Sequence, residues 1–117
     1  MKNFNFYFIT DSRLSRQGNI ADVKAAVNAG AWIVQYREKN LSPQAMIEEA
    51  RELKKICESR TIFLINDRVE VCLAVDADGV HLGQGDMDLP TVQSILGSKI
   101  IGITVHNVEE AVAAQRG

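Results

Sequence analysis

Five short apolar runs occur along this chain, and hydrophobic residues recur at helical spacing in the segments between them. Runs of about four to eight apolar and β-branched residues are typical of strands buried on both faces. The predicted strands cover residues 5–10, 31–36, 61–65, 77–82 and 99–103. Strict alternation of strands and helices predicts an α/β fold with a parallel sheet, either an open sheet or part of a (β/α)8 barrel.

Local signals mark the ends of the predicted helices. Gly30 is placed to end the first helix in a left-handed conformation, and Ser42 with Pro43 supplies an N-cap and a first-turn proline for the second. One face of that second helix is apolar and consists of Met46, Ala50, Leu53 and Cys57. Further helices are predicted over residues 68–75 and 89–96, and another is predicted from residue 107.

Composition and charge exclude several function classes. The 117 residues predict one domain over 1–117, with 46% hydrophobic and 24% charged residues, which is typical of a globular protein. A net charge of −2 gives no field for nucleic acid or acidic lipid, so an anionic ligand must be held locally. Because no apolar run approaches the roughly 18 residues of a membrane helix and no charged leader is present, we expect a cytoplasmic protein. Cys57 and Cys72 lack metal or redox spacing and are predicted to be buried hydrophobes.

Polar side chains follow the second predicted strand. Gln35, Arg37 and Lys39 alternate along the chain, so they point to the same side if strand geometry persists. A guanidinium and an ammonium held together suit phosphate or pyrophosphate oxygens. The alternative is an ordinary strand exit with solvated charges.

Two aspartates follow neighbouring predicted strands. Asn66 and Asp67 come directly after the third strand, and Asp86 lies in a glycine-rich loop after the fourth. Mg²⁺ in proteins is held by one or two carboxylates together with substrate phosphates and water. Asp67 and Asp86 therefore predict a magnesium site, although Asp67 also suits an N-cap for the following helix.

Three further residues are candidate substrate contacts. Thr104 and His106 lie at the end of the fifth strand, just before a predicted helix N-terminus, where anions are favoured. His81 lies inside the fourth strand, and a histidine there is more often a hydrogen-bonded core residue than a catalyst. Thr104 in isolation is equally consistent with an ordinary β-branched strand residue.

Five segments combine these features in a fixed order along essentially the whole chain. They are Tyr7-Phe8-Ile9-Thr10-Asp11, Gln35-Tyr36-Arg37-Glu38-Lys39, Ile65-Asn66-Asp67-Arg68, Asp78-Gly79-Val80-His81-Leu82-Gly83-Gln84 with Asp86, and Ile101-Gly102-Ile103-Thr104-Val105-His106 with Glu109-Glu110-Ala111. Together they resemble the thiamine phosphate synthase family. The family fold is a (β/α)8 barrel, and its enzymes join hydroxymethylpyrimidine diphosphate to thiazole phosphate with release of pyrophosphate.

The resemblance implies roles for the candidate residues. It implies that Asp67 and Asp86 hold Mg²⁺, and that Arg37 and Lys39 are catalytic because they stabilise the charge of the departing pyrophosphate. The implied contacts to the small-molecule substrates are Gln35, Arg37, Lys39, Asn66, His81, Thr104 and His106. It implies neither a nucleic-acid nor a membrane partner.

The chain departs from the family pattern in three respects. Gly85 occupies a position where an acidic residue is common, and Thr104 replaces the usual serine. The chain also contains about five of the eight β/α units of the barrel, which makes full catalysis by these residues alone doubtful. An incomplete barrel leaves its first and fifth strands as open edges. We therefore expect either a homo-oligomer formed through these edges or a second chain that supplies the missing units.

Two alternatives to a thiamine phosphate synthase-like transferase remain at this point. The first is the related thiazole tautomerase branch, in which the histidine matching His106 performs acid–base chemistry. That branch generally lacks the combination of Lys39, Asp67 and Asp86. The second is a non-catalytic remnant or partner subunit that acts by association, which the short length favours.

Overall fold

The structure is a computed structural model that describes residues 6–13, 17–58, 60–83 and 88–103. Its elements in chain order are β1 (Tyr7–Ile9), α1 (Asn19–Asn28), β2 (Ile33–Tyr36), α2 (Pro43–Cys57), β3 (Ile62–Asn66), α3 (Val69–Val75), β4 (Gly79–Leu82), α4 (Leu89–Leu96) and β5 (Ile100–Ile103). All five predicted strands are confirmed, each within two residues of its expected bounds. The helix predicted from residue 107 lies outside the described residues.

The order of the strands distinguishes the open sheet from the barrel, which the local sequence pattern left open, and it confirms the incomplete barrel that the resemblance implied. The five strands are all parallel and lie in the order β1-β2-β3-β4-β5. The helices follow the same order, with α1 against α2, α2 against α3 and α3 against α4. A doubly wound sheet requires a point where the strand order reverses, and the described sheet has none. The fold is therefore a sector of a (β/α) barrel, open at β1 and β5.

The two faces of this sheet differ in burial. Alternate strand residues point to the helices and are almost completely buried, as Tyr36, Phe63, Ile65 and Val80 illustrate. The opposite face corresponds to the barrel interior. On that face, Tyr7 and Ile9 of β1 and Ile100 of β5 each have nearly half of their surface exposed. The hydrophobic core thus lies between the sheet and the helices, whereas the interior face is incompletely covered.

The predicted helix boundaries have the expected local causes. Gly30 adopts a φ of 97°, and the chain ends α1 with bonds from Gly30 N to Val27 O at 3.0 Å and from Ala31 N to Ala26 O at 2.9 Å. This pair of bonds is the Schellman motif. At α2, Ser42 Oγ accepts from Ala45 N at 3.2 Å and Pro43 occupies the first turn. The apolar face predicted for α2 is confirmed, since all four of its members are buried.

The two cysteines are buried, as predicted. Cys57 and Cys72 are free and buried, and burial raises the pKa of each thiol to about 11. Both therefore remain protonated at neutral pH and pack as small hydrophobes. Among the helices in the described part of the chain, none has the length and apolarity needed to cross a bilayer.

An ion-pair cluster joins the elements at the N-terminal end of the sheet. Asp76 ends α3 in a left-handed conformation with a φ of 54°. Lys99 Nζ lies 2.6 Å from Asp76 Oδ1 and 2.7 Å from the carbonyl oxygen of Ala77, while Lys54 Nζ lies 3.6 Å from Asp76 Oδ2. These bonds, chiefly the one to Lys99, lower the pKa of Asp76. The cluster lies at the opposite end of the sheet from the polar strand ends described next.

Candidate functional site

The C-terminal ends of β2, β3 and β4 bring several of the predicted residues together. Gln35 lies in β2, Asn66 ends β3, and His81 lies in β4 as the register partner of Asn66. Arg37, Lys39 and Asp67 follow directly after these strands. The remaining predicted residues, Asp86, Thr104 and His106, lie outside the described residues. The structure thus describes the part of the site that the first four strands provide.

A row of hydrogen bonds crosses the open face of the sheet just below the strand ends. Asn66 Nδ2 donates to Gln35 Oε1 at 2.8 Å, and Gln35 Nε2 donates to the hydroxyl of Tyr7 at 2.8 Å. Gln35 is 3% exposed, so its amide is held in one orientation by these partners. Sequence reasoning assigned Tyr7 no role in the site, because only strand pairing places its hydroxyl two strands from Asn66.

The loop after β2 carries the two cations and is tied to the end of β1. Arg37 N donates to Thr10 Oγ1 at 2.9 Å, and the same hydroxyl donates to Arg37 O at 3.2 Å. A cavity of about 230 Å³ opens above this contact and is lined by residues 10–13 and 37–40. Strand geometry ends at Tyr36, yet Arg37 and Lys39 both line this cavity.

A second cavity of about 260 Å³ adjoins the first and is lined by Glu38, Lys39, Asn66, Asp67 and Arg68. Lys39 lines both cavities, and its Nζ lies 3.8 Å from Asp67 Oδ2. Both side chains of this ion pair are well exposed, so the pair contributes little to stability and its groups can turn to a ligand. The arrangement places ammonium, guanidinium, amide and carboxylate groups around two adjoining cavities, which suits an anion that carries a metal ion.

Asp67 has an unusual backbone conformation for a residue with a side chain. Its φ is 62°, its amide donates to the carbonyl oxygen of His81 at 2.9 Å, and the next amide, of Arg68, donates to Asn66 O at 2.7 Å. The N-cap position of α3 is Arg68, whose own side chain makes no capping hydrogen bond. The alternative prediction of Asp67 as the N-cap is therefore wrong, because the left-handed turn places the carboxylate one residue before the cap. Such conformations are concentrated at functional sites.

The donor set around Asp67 fits Mg²⁺. Its carboxylate lies at a strand end beside the second cavity and offers the hard oxygen atoms that this ion prefers. Within the described ranges, no group of three or more His, Cys, Asp or Glu residues could by itself hold a metal ion. A magnesium ion here would need further oxygen ligands, for which Asp86, substrate phosphates and water remain the candidates.

Two charged residues that sequence analysis did not single out also line the first cavity. Arg13 N and Arg13 Nε lie 3.0 Å and 3.3 Å from Asp11 Oδ1. The bond from Arg13 lowers the pKa of Asp11, with a smaller contribution from the charge of Arg37. Both residues follow a predicted parallel strand, as the other candidates do. That position at the end of β1 was the signal available to find them.

His81 is partly buried beside these groups. Burial lowers its pKa, so the imidazole is neutral at physiological pH. A Cβ atom on Gly102 of β5 would lie 2.9 Å from His81 Nδ1, so the absence of a side chain there leaves room for the ring. The structure thus places His81 on the open face next to Asn66 and keeps both its core and its ligand-contact interpretations open.

The chain was compared with known proteins. Residues 6–117 match the family model described as thiamine monophosphate synthase. The chain belongs to this family. It is 58% identical over 117 residues to a thiamine-phosphate synthase of Methanosarcina mazei, covering 99% of this chain and 49% of the relative. A thiamine-phosphate synthase of Methanosarcina barkeri is 55% identical over 117 residues, covering 99% and 53% of the two chains.

A solved structure supports the family assignment at the level of the fold. The thiamine phosphate pyrophosphorylase from Pyrococcus furiosus superposes with a TM-score of 0.89 at 38% identity, over 96% of this chain and 55% of that one. The strand order described above is therefore that of this barrel family. The chain spans about half the length of the curated relatives it matches.

Proposed function

We propose that this chain provides the pyrimidine diphosphate half of a thiamine phosphate synthase active site. The reaction joins hydroxymethylpyrimidine diphosphate to thiazole phosphate and releases pyrophosphate. The observation that carries the proposal is the convergence of Arg37, Lys39, Asn66 and Asp67 around adjoining cavities at the paired ends of β2 and β3. Family membership supports the same conclusion.

Each group has a role in this proposal. Arg37 and Lys39 bind the diphosphate and stabilise the negative charge that grows as the bond between the pyrimidine methylene carbon and the diphosphate oxygen breaks. The electron pair of that bond leaves with pyrophosphate, and the thiazole nitrogen then forms a bond to the methylene carbon. Asn66, oriented by Gln35, supplies a further polar contact to the pyrimidine diphosphate.

The proposed metal ion is Mg²⁺, held by Asp67 together with Asp86. When bound, it supplies positive charge that neutralises the diphosphate leaving group. His81, Thr104 and His106 are proposed as further substrate contacts, and His81 as a neutral imidazole on the open face. The cytoplasmic location and the single barrel-type domain over residues 1–117 also stay predictions.

A titration of the chain with hydroxymethylpyrimidine diphosphate, followed by calorimetry with and without Mg²⁺, tests the proposal. We expect binding that tightens at least about tenfold in Mg²⁺, because the ion and the two cations share the diphosphate charge. A folded chain that does not bind the compound in either condition would contradict the proposed site. It would favour the non-catalytic alternative, in which the family resemblance reflects ancestry only.

The thiazole tautomerase alternative predicts a different ligand dependence. That chemistry requires neither the diphosphate nor Mg²⁺, so tight binding of a thiazole phosphate without metal, and none of the diphosphate, would favour it. The presence of Arg37, Lys39 and Asp67 around two adjoining cavities supports the synthase-like proposal instead.

We further propose that the chain self-associates through its open sheet edges. Tyr7 and Ile9 on β1 and Ile100 on β5 expose nearly half of their surface at the two outer strands. Exposed edge strands with apolar residues favour pairing with another chain. A second copy is the partner that a purified sample always contains, whereas a different chain that supplies the remaining barrel units is the alternative.

Light scattering on matched variants tests this association. Ile9→Lys puts a charge on the edge strand, and we expect it to shift the measured mass from oligomer to monomer. Ile95→Lys is the control, because Ile95 is equally exposed, at 46% against 48% for Ile9, but lies on α4. A wild-type mass that is monomeric at all concentrations would contradict self-association and leave a different partner chain as the proposal.

A further inference from the structure

A buried polar cluster lies on the helix side of the sheet, behind the loop that carries Arg37 and Lys39. It consists of Asn19 at the start of α1, Tyr36 and Glu38 at the end of β2, and Glu49 in α2. Asn19 is 4% exposed, Glu38 is 8% exposed and Tyr36 is fully buried. None of these residues was a candidate from the sequence, and none is needed to explain the strand pairing.

The cluster is connected by hydrogen bonds that converge on the two carboxylates. Asn19 Nδ2 lies 3.0 Å from Glu49 Oε1 and 3.4 Å from Glu38 Oε1, so one amide bridges both. Tyr36 OH donates to Glu49 Oε1 at 2.7 Å. Burial and the bond to Glu49 raise the pKa of Tyr36, which therefore remains a donor. Carboxylates near one another in a buried place are unfavourable unless such donors hold them.

Glu38 connects this cluster to the anion-binding loop. Its Oε2 accepts from the backbone N of Asn40 at 3.1 Å, while its Oε1 faces Asn19. Glu38 lies between Arg37 and Lys39 in sequence, so holding its side chain against Asn19 restricts the backbone that carries both cations. The loop is then held on both sides, by Thr10 at the backbone of Arg37 and by Asn19 through Glu38.

Asn19 also begins the helix that follows β1, and the residues directly after β1 line the first cavity. The β1–α1 connection enters α1 through Gly18, whose φ of 94° allows the turn into the helix at Asn19. No described residue is hydrogen-bonded to Asn19 Oδ1, so only the amide nitrogen of this side chain is used within the described cluster. Asn19 thus links the segment that follows β1 to the segment that follows β2.

We propose that Asn19 is a positioning residue for the anion site: by holding Glu38, it fixes the β2–α2 loop so that Arg37 lines the first cavity and Lys39 lines both. Asn19 touches neither the cavities nor the proposed substrate, and it acts only through Glu38 and Glu49. The identity of the anion rests on the proposed function, whereas the link between Asn19 and the loop does not.

The first test uses inorganic pyrophosphate with Mg²⁺ as the probe and calorimetry as the readout. Asn19→Leu keeps the size of the side chain but removes the hydrogen-bond donor. We expect this variant to weaken pyrophosphate binding by about tenfold or more, as the loss of a residue that supports ligand-binding residues typically does. Asn28→Leu is the control, because Asn28 is an exposed residue of the same helix, and its affinity should match the wild type. Unchanged binding in a folded Asn19→Leu protein would overturn the proposal.

A double-mutant cycle separates positioning from general destabilisation. In a Glu38→Ala background the link is already broken, so adding Asn19→Leu should change pyrophosphate affinity by less than about twofold. If the loss of affinity in the double variant equalled the sum of the two single losses, Asn19 would not act through Glu38. If Asn19→Leu fails to fold, Asn19→Ser takes its place in the same cycle with the same expected outcomes.

A second readout does not depend on ligand binding. The Asn40 amide is held by Glu38, whereas the Arg37 amide is held by Thr10, so the two report on separate anchors. We expect Asn19→Leu to speed hydrogen exchange of the Asn40 amide about tenfold and to leave that of Arg37 unchanged. If the wild type does not bind pyrophosphate, the proposed function fails, and the exchange of the Asn40 amide alone decides the role of Asn19. Equal protection of that amide in the wild type and the variant would overturn the proposal for Asn19.

Discussion

Asp67→Asn is expected to weaken Mg²⁺-dependent binding of pyrophosphate by roughly 100-fold, because it removes the carboxylate after β3 that is proposed to hold the ion. Asparagine tolerates the left-handed conformation that Asp67 adopts at a φ of 62°, so the backbone turn should survive the change. Calorimetry with and without Mg²⁺ measures the effect. Metal-independent binding through Arg37 and Lys39 should persist in the variant.

The matched control for this change is Asp76→Asn. Asp76 is the other described non-glycine residue with a positive φ, at 54°, but it lies at the N-terminal end of the sheet with Lys99. We expect Asp76→Asn to leave pyrophosphate binding unaltered in both conditions. If both variants lost metal-dependent binding equally, the loss would reflect a change in folding, and Asp67 would no longer be supported as the magnesium ligand.

Gly79→Ala is expected to destabilise the protein by about 3 kcal/mol, toward the upper end of the cost of overpacking. Gly79 is buried in β4 and is the register partner of Ile100 in β5. A Cβ atom at this position would collide with the carbonyl oxygen of Ile100 and lie 2.6 Å from its carbonyl carbon. Backbone atoms cannot move away without separating the strands, so β5 should detach. Urea denaturation followed by circular dichroism measures the loss.

Gly102→Ala provides the comparison for this prediction on the same pair of strands. Its Cβ atom would lie 2.9 Å from Nδ1 of His81, which is a side-chain atom that can rotate away. We expect a cost of less than about 1 kcal/mol for this variant. Equal destabilisation by the two substitutions would mean that the close approach of the β4 and β5 backbones at Gly79 does not limit the fold.

Much of the fold could be predicted from particular residues. Gly30 and Ser42 ended and began helices where the sequence placed them, because a left-handed cap and a hydroxyl N-cap act within a few residues of the chain. The apolar runs predicted the strands, because burial on both faces requires nearly continuous hydrophobic sequence. The local pattern alone did not predict the strand order, since that order depends on crossovers and packing between distant segments, whereas the family resemblance implied it. The sequential order of the five strands identified the barrel sector.

The candidate site was predictable in its position but not in its connections. Gln35, Asn66 and Asp67 could be assigned to strand ends, and parallel strands place such ends at one edge. Asp67 had two interpretations from the sequence, as a metal ligand and as an N-cap. Only the backbone conformation excluded the N-cap, because φ depends on the bond to the carbonyl of His81 and on the turn at Arg68. The bond from Gln35 to Tyr7 was also outside the reach of sequence reasoning.

The sequence by itself determined the β/α alternation, the polar residues at the strand ends and the resemblance to the thiamine phosphate synthase family, because these depend on local periodicity and on residue order. The tertiary structure confirmed the incomplete barrel that the resemblance implied, and it showed directly that the strands and helices are stacked in sequence. It alone joined Asn19, Glu38 and Glu49 behind the loop of Arg37 and Lys39. Such contacts join residues far apart in the chain, so they exist only once packing has brought the helices against the sheet.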